Sequence, residues 1–214
     1  GGAGGMASNG PSFPNGSFVQ GLTGWAAINM RVVLGPTPAT PPGTNMVGGW
    51  PTPTDPTTAP DGGTEASSTG PGTYTSVVET INGGFRAVMV SEVDGVANTP
   101  GGSGGVVHGP AVVSSDPVPI AAGAIATFNW EASGGQDAYD VLAYLLNNDT
   151  GDTIILLDAT GANASADQPP TTIEYTVPTA GNYKFVFVSG SWDATKGTVA
   201  GARFQVVVSA GTFS

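Results

Sequence analysis

From residue 124 onward the chain alternates short apolar runs with turn chemistry. It reads A-T-F-N-W-E-A, D-A-Y-D-V-L-A-Y-L-L-N, I-I-L-L-D-A-T and N-Y-K-F-V-F-V-S-G-S-W in turn. Between these runs stand S-G-G-Q-D, N-N-D-T-G-D and P-T-A-G-N, whose Gly, Asn, Asp and Pro supply turns. The spacing predicts strands over 124–132, 138–147, 153–159, 171–177, 182–189 and 202–209. Upstream, two more are predicted over 74–79 and 85–90, joined by a turn around I-N-G-G. Residues 16–34 also read as sheet, with S-F-V-Q, a G-L-T-G turn and then W-A-A-I-N-M-R-V-V-L.

Period-two alternation assigns faces. Phe128 and Trp130 share one side of their strand, opposite Thr127, Asn129 and Glu131. Phe185 and Phe187 oppose Lys184, while Phe204, Val206 and Val208 oppose Arg203 and Gln205. The first set of each group is the expected core. Short strands without an amphipathic helix predict an all-β fold, an antiparallel β-sandwich, with a barrel as the weaker option.

Two stretches break the pattern. Residues 1–15 (G-G-A-G-G-M-A-S-N-G-P-S-F-P-N) lack periodicity and are expected to form a flexible or partner-ordered arm. Residues 35–72 form a Pro-, Thr- and Gly-rich loop insertion, within a single sandwich domain spanning 16–214. Trp50 stands in the middle of that loop, either as an anchor on the sandwich or as an exposed binding aromatic.

Composition narrows the function. The 214 residues hold 5 basic and 16 acidic side chains, a net charge of -11, so nucleic acid and anionic membrane surfaces are unsuitable partners. No cysteine is present, which removes disulfides and thiolate metal sites. No apolar run reaches the roughly 20 residues that span a bilayer. A chain that begins at Gly1 is expected to be a processed product, an excised part or a tagged form.

Catalytic sets are scarce. His108 is the single histidine, without a Ser-x-Gly elbow or a second histidine, which argues against triads and histidine-based zinc sites. Asp137 and Asp140 flank Tyr139, and Glu131 lies on the polar side of its strand, so none forms an evident acid pair. The chain is therefore read as non-catalytic. N-N-D-T-G-D (147–152) gathers oxygens that suit calcium, and also the residues that turns prefer. No cofactor is expected beyond that possible calcium ion. For ligand or partner contact the candidates are Trp50, Trp192 with its neighbour Asp193, and Tyr144, because a flat ring stacks on a pyranose while carboxylates take its hydroxyls.

Two segments carry a resemblance. N-G-S-F-V-Q-G-L-T-G-W near the start resembles the opening of galactose-binding-like jelly rolls, the fold of many carbohydrate-binding modules. The stretch 106–208, with G-P-A-V-V-S, F-N-W-E-A-S-G-G-Q-D-A-Y-D-V, G-N-Y-K-F-V-F-V-S-G-S-W-D and G-A-R-F-Q-V, is similar to modules of surface proteins of aquatic bacteria and of structural proteins of their phages. Such jelly rolls often hold calcium through an acidic residue soon after N-G-x-F and an Asp near the final strand. Here Val19, Gln20 and residues 205–208 (Q-V-V-V) occupy those places, so the metal site does not transfer.

The resemblance implies an extracellular or virion-surface setting and leaves two functions open. In the first the chain is a structural or attachment component of a surface assembly, most plausibly a phage virion protein (capsid decoration, fibre or tail component). It would act through contacts with other subunits, as a homo-oligomer. In the second it is a carbohydrate-binding module of a secreted enzyme or adhesin, with a cell-surface glycan as ligand.

Overall fold

The structure is a computed structural model that describes residues 13–29, 55–57, 72–81, 84–93, 106–132, 139–161, 168–192, 198–199 and 207–209. Twelve strands run in chain order among them: β1 (Trp25–Ile28), β2 (Gly72–Ile81), β3 (Gly84–Val93), β4 (Val106–Ser114), β5 (Val118–Ile120) and β6 (Ile125–Ala132) come first. They are followed by β7 (Tyr139–Asn147), β8 (Thr153–Gly161), β9 (Gln168–Thr176), β10 (Gly181–Trp192), β11 (Thr198–Val199) and β12 (Val207–Ser209). Every pairing is antiparallel.

One layer is the sheet β1-β4-β10-β7-β8, with β5 pairing β10 beside β4. Two three-stranded sheets, β11-β3-β2 and β12-β6-β9, supply the other side. Between them lies one core, in which Val112, Val141, Ala143, Leu145, Phe185 and Phe187 of the large sheet meet Ala126, Phe128 and Trp130 of β6 and Ala87 of β3. The fold is thus an antiparallel β-sandwich, as the strand spacing predicts, of the jelly-roll kind that the resemblance implies.

Phe185 sits at the centre of this core. Its ring lies 5.3 Å from Phe128, 5.9 Å from Phe13 and 6.1 Å from Trp25, with the Phe128 and Trp25 pairs edge to face, a favoured aromatic geometry. Phe128, Trp130, Phe185 and Phe187 are buried as alternation predicts. Residues 204–206 lie outside the described set, as do the side chains of 207–209.

The opening segment departs from the expected strand. Residues 13–24 form successive turns, and sheet begins only at Trp25. Asn15 and Phe18 both adopt left-handed backbone, with φ of 52° and 58°, which no strand accommodates. The segment is held by Asn15: its Nδ2 donates to the carbonyls of Gly21 (2.9 Å) and Thr23 (2.8 Å), and its Oδ1 accepts from the Gln20 amide. The Asn15 carbonyl accepts from Trp25 Nε1 at 3.0 Å. Phe13 and Phe18 reach the core from here, so the expected arm 1–15 gives up its last three residues to the sandwich. Phe13, 2 % exposed, is the physical reason: burying a phenyl ring favours order over a free arm by about 2 kcal/mol. Residues 1–12 lie outside the described set.

Candidate functional site

The large sheet is apolar on both faces, which alternation within single strands does not reveal. Its inner face looks into the core. On its outer face Ala111 and Val113 of β4, Leu142, Tyr144 and Leu146 of β7, and Val186 and Val188 of β10 form a second buried cluster, with Ile28 of β1 against it. The sequence signal was present in continuous runs such as V-L-A-Y-L-L and F-V-F-V, the mark of a strand covered on both sides.

Register arranges this face in rows. Ile155, Tyr144, Val186, Val113 and Ala26 stand side by side across five strands, and the next row is Asp158, Leu142, Val188, Ala111 and Ile28. Four inter-strand gaps make each row about 19 Å wide. A bulge in β8 shapes one end: Leu157 pairs with Ala143 and Ile155 with Tyr144, so Leu156 is the extra residue. It turns Leu156 into the inner core and leaves Ile155, 42 % exposed, beside Tyr144.

Tyr144 is the aromatic of this face, and it is covered. The expectation of an exposed contact ring is corrected, since the side chain is 0 % exposed. Asp55, from the long loop, is near enough to act on it electrostatically. Pro56 is buried and Asp55 half-buried, and Thr57 donates both its amide (2.9 Å) and its hydroxyl (2.6 Å) to Asp55 Oδ1, which ties the three residues into a tight turn. Burial first, and the Asp55 carboxylate second, hold the Tyr144 phenol well above the ordinary value of 10.0.

The other candidates fall as follows. Trp50, Asp137 and Asp193 lie outside the described residues. Trp192 ends β10 opposite Val106, beyond a register shift between Val188 and Gly190, and its side chain lies outside the described set. Asp140 pairs with Thr160 at the neighbouring end of β7. His108 pairs with Gly190 inside the sheet, a ladder position. Glu131 is half-buried on β6. Among the described residues no group of three His, Asp or Glu side chains is placed to hold a metal ion.

The N-N-D-T-G-D segment is the hairpin turn between β7 and β8. Asn147 Oδ1 accepts the amides of Asp149 (2.9 Å) and Thr150 (3.1 Å), and Thr150 Oγ1 accepts that of Asp152 at 3.2 Å. Asp149 Oδ2 accepts from Asn182 Nδ2, which ties the turn to β10. Gly151, with φ of 78°, takes the left-handed position. These oxygens face N–H donors, the work of turn formers. In the opening loop the carbonyls of Gly21 and Thr23 face the Asn15 amide.

No protein-family model and no curated protein sequence matches the chain. Solved structures resemble it in fold at low identity. A family 4 carbohydrate-binding module shares 13% identity at a TM-score of 0.44, covering 92% of this chain and 99% of its own. The enzymatically active domain of tailspike protein 4 from bacteriophage CBA120 has the same identity and TM-score, with 92% of this chain matching 21% of that one. A non-crystalline cellulose specific module of family 28 shares 10% identity at 0.36, over 61% of this chain and 80% of its own.

Proposed function

We propose that the chain is a non-catalytic carbohydrate-binding module that holds a saccharide on the outer face of its large sheet. One observation carries this reading. That face sets Tyr144 between Ile155 and Val186, with the half-buried Asp158 one row away and Lys184 opposite Leu146, and β10 runs on to end at Trp192. A ring beside carboxylate and ammonium groups is the chemistry of sugar recognition, in which the apolar pyranose face stacks and the hydroxyls find charged partners. Every other aromatic whose side chain is described is buried or half-buried, ten of them in or against the inner core. Tyr144 is buried as well, so in this reading the ring that meets the ligand is Trp192 at the end of β10.

A glycan array with the full chain tests it. Selective binding is expected, and Trp192→Ala should weaken it by about 10-fold or more, as loss of a central contact ring does. An array without selective binding, or a variant that binds like the parent, refutes the reading.

A second reading, a structural or attachment component of a surface assembly such as a phage particle, is favoured by the edge of the sheet. Among the described residues no strand pairs with the far side of β8, a nine-residue strand bearing the exposed Ile155. Such an edge offers ladder positions to a strand of another subunit. Sedimentation of the chain over a concentration series tests this: association abolished by Ile155→Lys supports it, and a monomer throughout refutes it.

A further inference from the structure

The Asn15–Gly16 step carries a chemical liability that the opening loop suppresses. Where glycine follows asparagine, no side chain shields the glycine amide nitrogen, and the carboxamide is open to attack by it. The Gly16 nitrogen then attacks Asn15 Cγ and forms a C–N bond. The Cγ–Nδ2 bond breaks, and ammonia leaves with the proton that Gly16 gives up. Water opens the cyclic succinimide at either carbonyl, giving aspartate or isoaspartate, and nothing is oxidised or reduced.

The fold holds each reacting group away from this chemistry. Gly16, the nucleophile, is buried, and its N–H donates to the Phe13 carbonyl at 3.0 Å. The carboxamide is pinned on both sides, by Nδ2 on the Gly21 and Thr23 carbonyls and by Oδ1 on the Gln20 amide. The flanking backbone is anchored too: Phe13 and Phe18 are buried in the inner core, and Trp25 Nε1 donates to the Asn15 carbonyl at 3.0 Å. Cyclisation must free the Gly16 amide and turn the carboxamide, which breaks four hydrogen bonds together. At about fivefold for each bond, closure of the loop slows the reaction by several hundredfold.

We propose that Asn15–Gly16 is a hydrolytic modification site masked by the closed loop, and that conversion of Asn15 makes opening of the loop irreversible. Aspartate has no N–H for the Gly21 and Thr23 carbonyls and sets a carboxylate against their oxygens. Isoaspartate lengthens the backbone between Phe13 and Phe18, whose rings are both seated in the core. Neither product restores the parent hydrogen bonds. The loop opens and closes freely while Asn15 is intact, and each opening exposes it to a step without return. The fold thereby sets the lifetime of its own opening segment.

Mass-spectrometric peptide mapping of the full chain tests this, after ageing at mildly alkaline pH with and without an unfolding concentration of urea. Fragmentation separates Asn15 from the pairs Asn9–Gly10 and Asn82–Gly83, which lie outside the described residues. Asn15 should convert in urea, with isoaspartate among the products, and about 100-fold or more slowly in the folded chain. Folded and unfolded rates within about threefold of one another overturn the masking. Trp25→Phe keeps a ring in the core and removes the donor to the Asn15 carbonyl, so it should speed the folded-state reaction about fivefold and leave the rate in urea unchanged. An unchanged folded-state rate in that variant, with its fold confirmed by circular dichroism, overturns the role given to the loop's hydrogen bonds. Chains converted at Asn15, separated from the parent by their extra negative charge, should lose amide exchange protection at Gly16, Phe18 and Gly21. Protection equal to the parent's overturns the irreversibility.

Discussion

Replacing Asn15 with Ala tests how the opening loop is built. The side chain makes three hydrogen bonds, two as donor to the Gly21 and Thr23 carbonyls and one as acceptor from the Gln20 amide. At half-exposed positions each contributes about 1 kcal/mol. The backbone φ of 52° adds about 1 kcal/mol, because Asn tolerates the left-handed region and Ala does not. The sum is about 3–4 kcal/mol, and the melting temperature of a chain this size should fall by roughly 10 °C. Asn15→Gly keeps the backbone freedom and loses the bonds, so it should cost about 1 kcal/mol less than Ala. Asn15→Asp retains the acceptor for Gln20 but turns a carboxylate toward two carbonyls. It should be at least as damaging as Ala at neutral pH and recover in part below about pH 4, where the acid regains a proton to donate. Urea unfolding followed by circular dichroism reads all three. An Ala variant within about 1 kcal/mol of the parent, or an Asp variant as stable as the parent at neutral pH, refutes the claim that this amide organises the loop.

Other parts of the sandwich give sharper local tests. Ser114 Oγ accepts the Phe185 amide at 2.8 Å in a fully buried setting, so Ser114→Ala should cost about 1–3 kcal/mol in chemical denaturation by leaving that donor unpaired. A Cβ on Gly181 would stand 2.7 Å from Asn147 Nδ2 and 3.1 Å from the Tyr183 ring. Gly181→Ala should therefore displace the Asn147 turn and cost about 1–3 kcal/mol, visible as lost amide protection at Asp149 and Thr150. Tyr144 and Tyr183 both have pKa values raised by burial. A raised value means the fold holds the proton more tightly than the unfolded chain, so this stability is complete below about pH 10 and is lost as pH rises beyond it. Urea midpoints should fall steeply above pH 10, and Tyr144→Phe should flatten that fall. An unchanged slope would show that Tyr144 is not buried in solution.

Turn chemistry made much of the strand layout legible. Residues 147–152 carry Asn, Asp, Thr and Gly, and the turn they form lies where the sequence puts it. Alternation placed Phe128, Trp130, Phe185 and Phe187 correctly because their strands face a single core on that side. The opening was misread because S-F-V-Q has strand composition, whereas Asn15 and Phe18 take left-handed backbone through hydrogen bonds to residues five to eight positions away. Tyr144 was misread for a different reason. Its place on the outward side of β7 was legible from alternation against Val141, Ala143 and Leu145, but what lay over it was not.

The sequence by itself determined most of the strands, though not β4, β5 or β11, together with the turns between β6 and β10, the inner-core aromatics and the scarcity of catalytic groups. These follow from period, propensity and composition, which act between near neighbours in the chain. The tertiary structure alone decided which strands share a sheet, that Phe13 belongs to the core, and that Tyr144 is buried on the outer face of the large sheet. Phe13 and Phe185 lie far apart in sequence, and so do Tyr144 and Val113. Burial of such pairs is a property of the surfaces brought together, which no local pattern encodes.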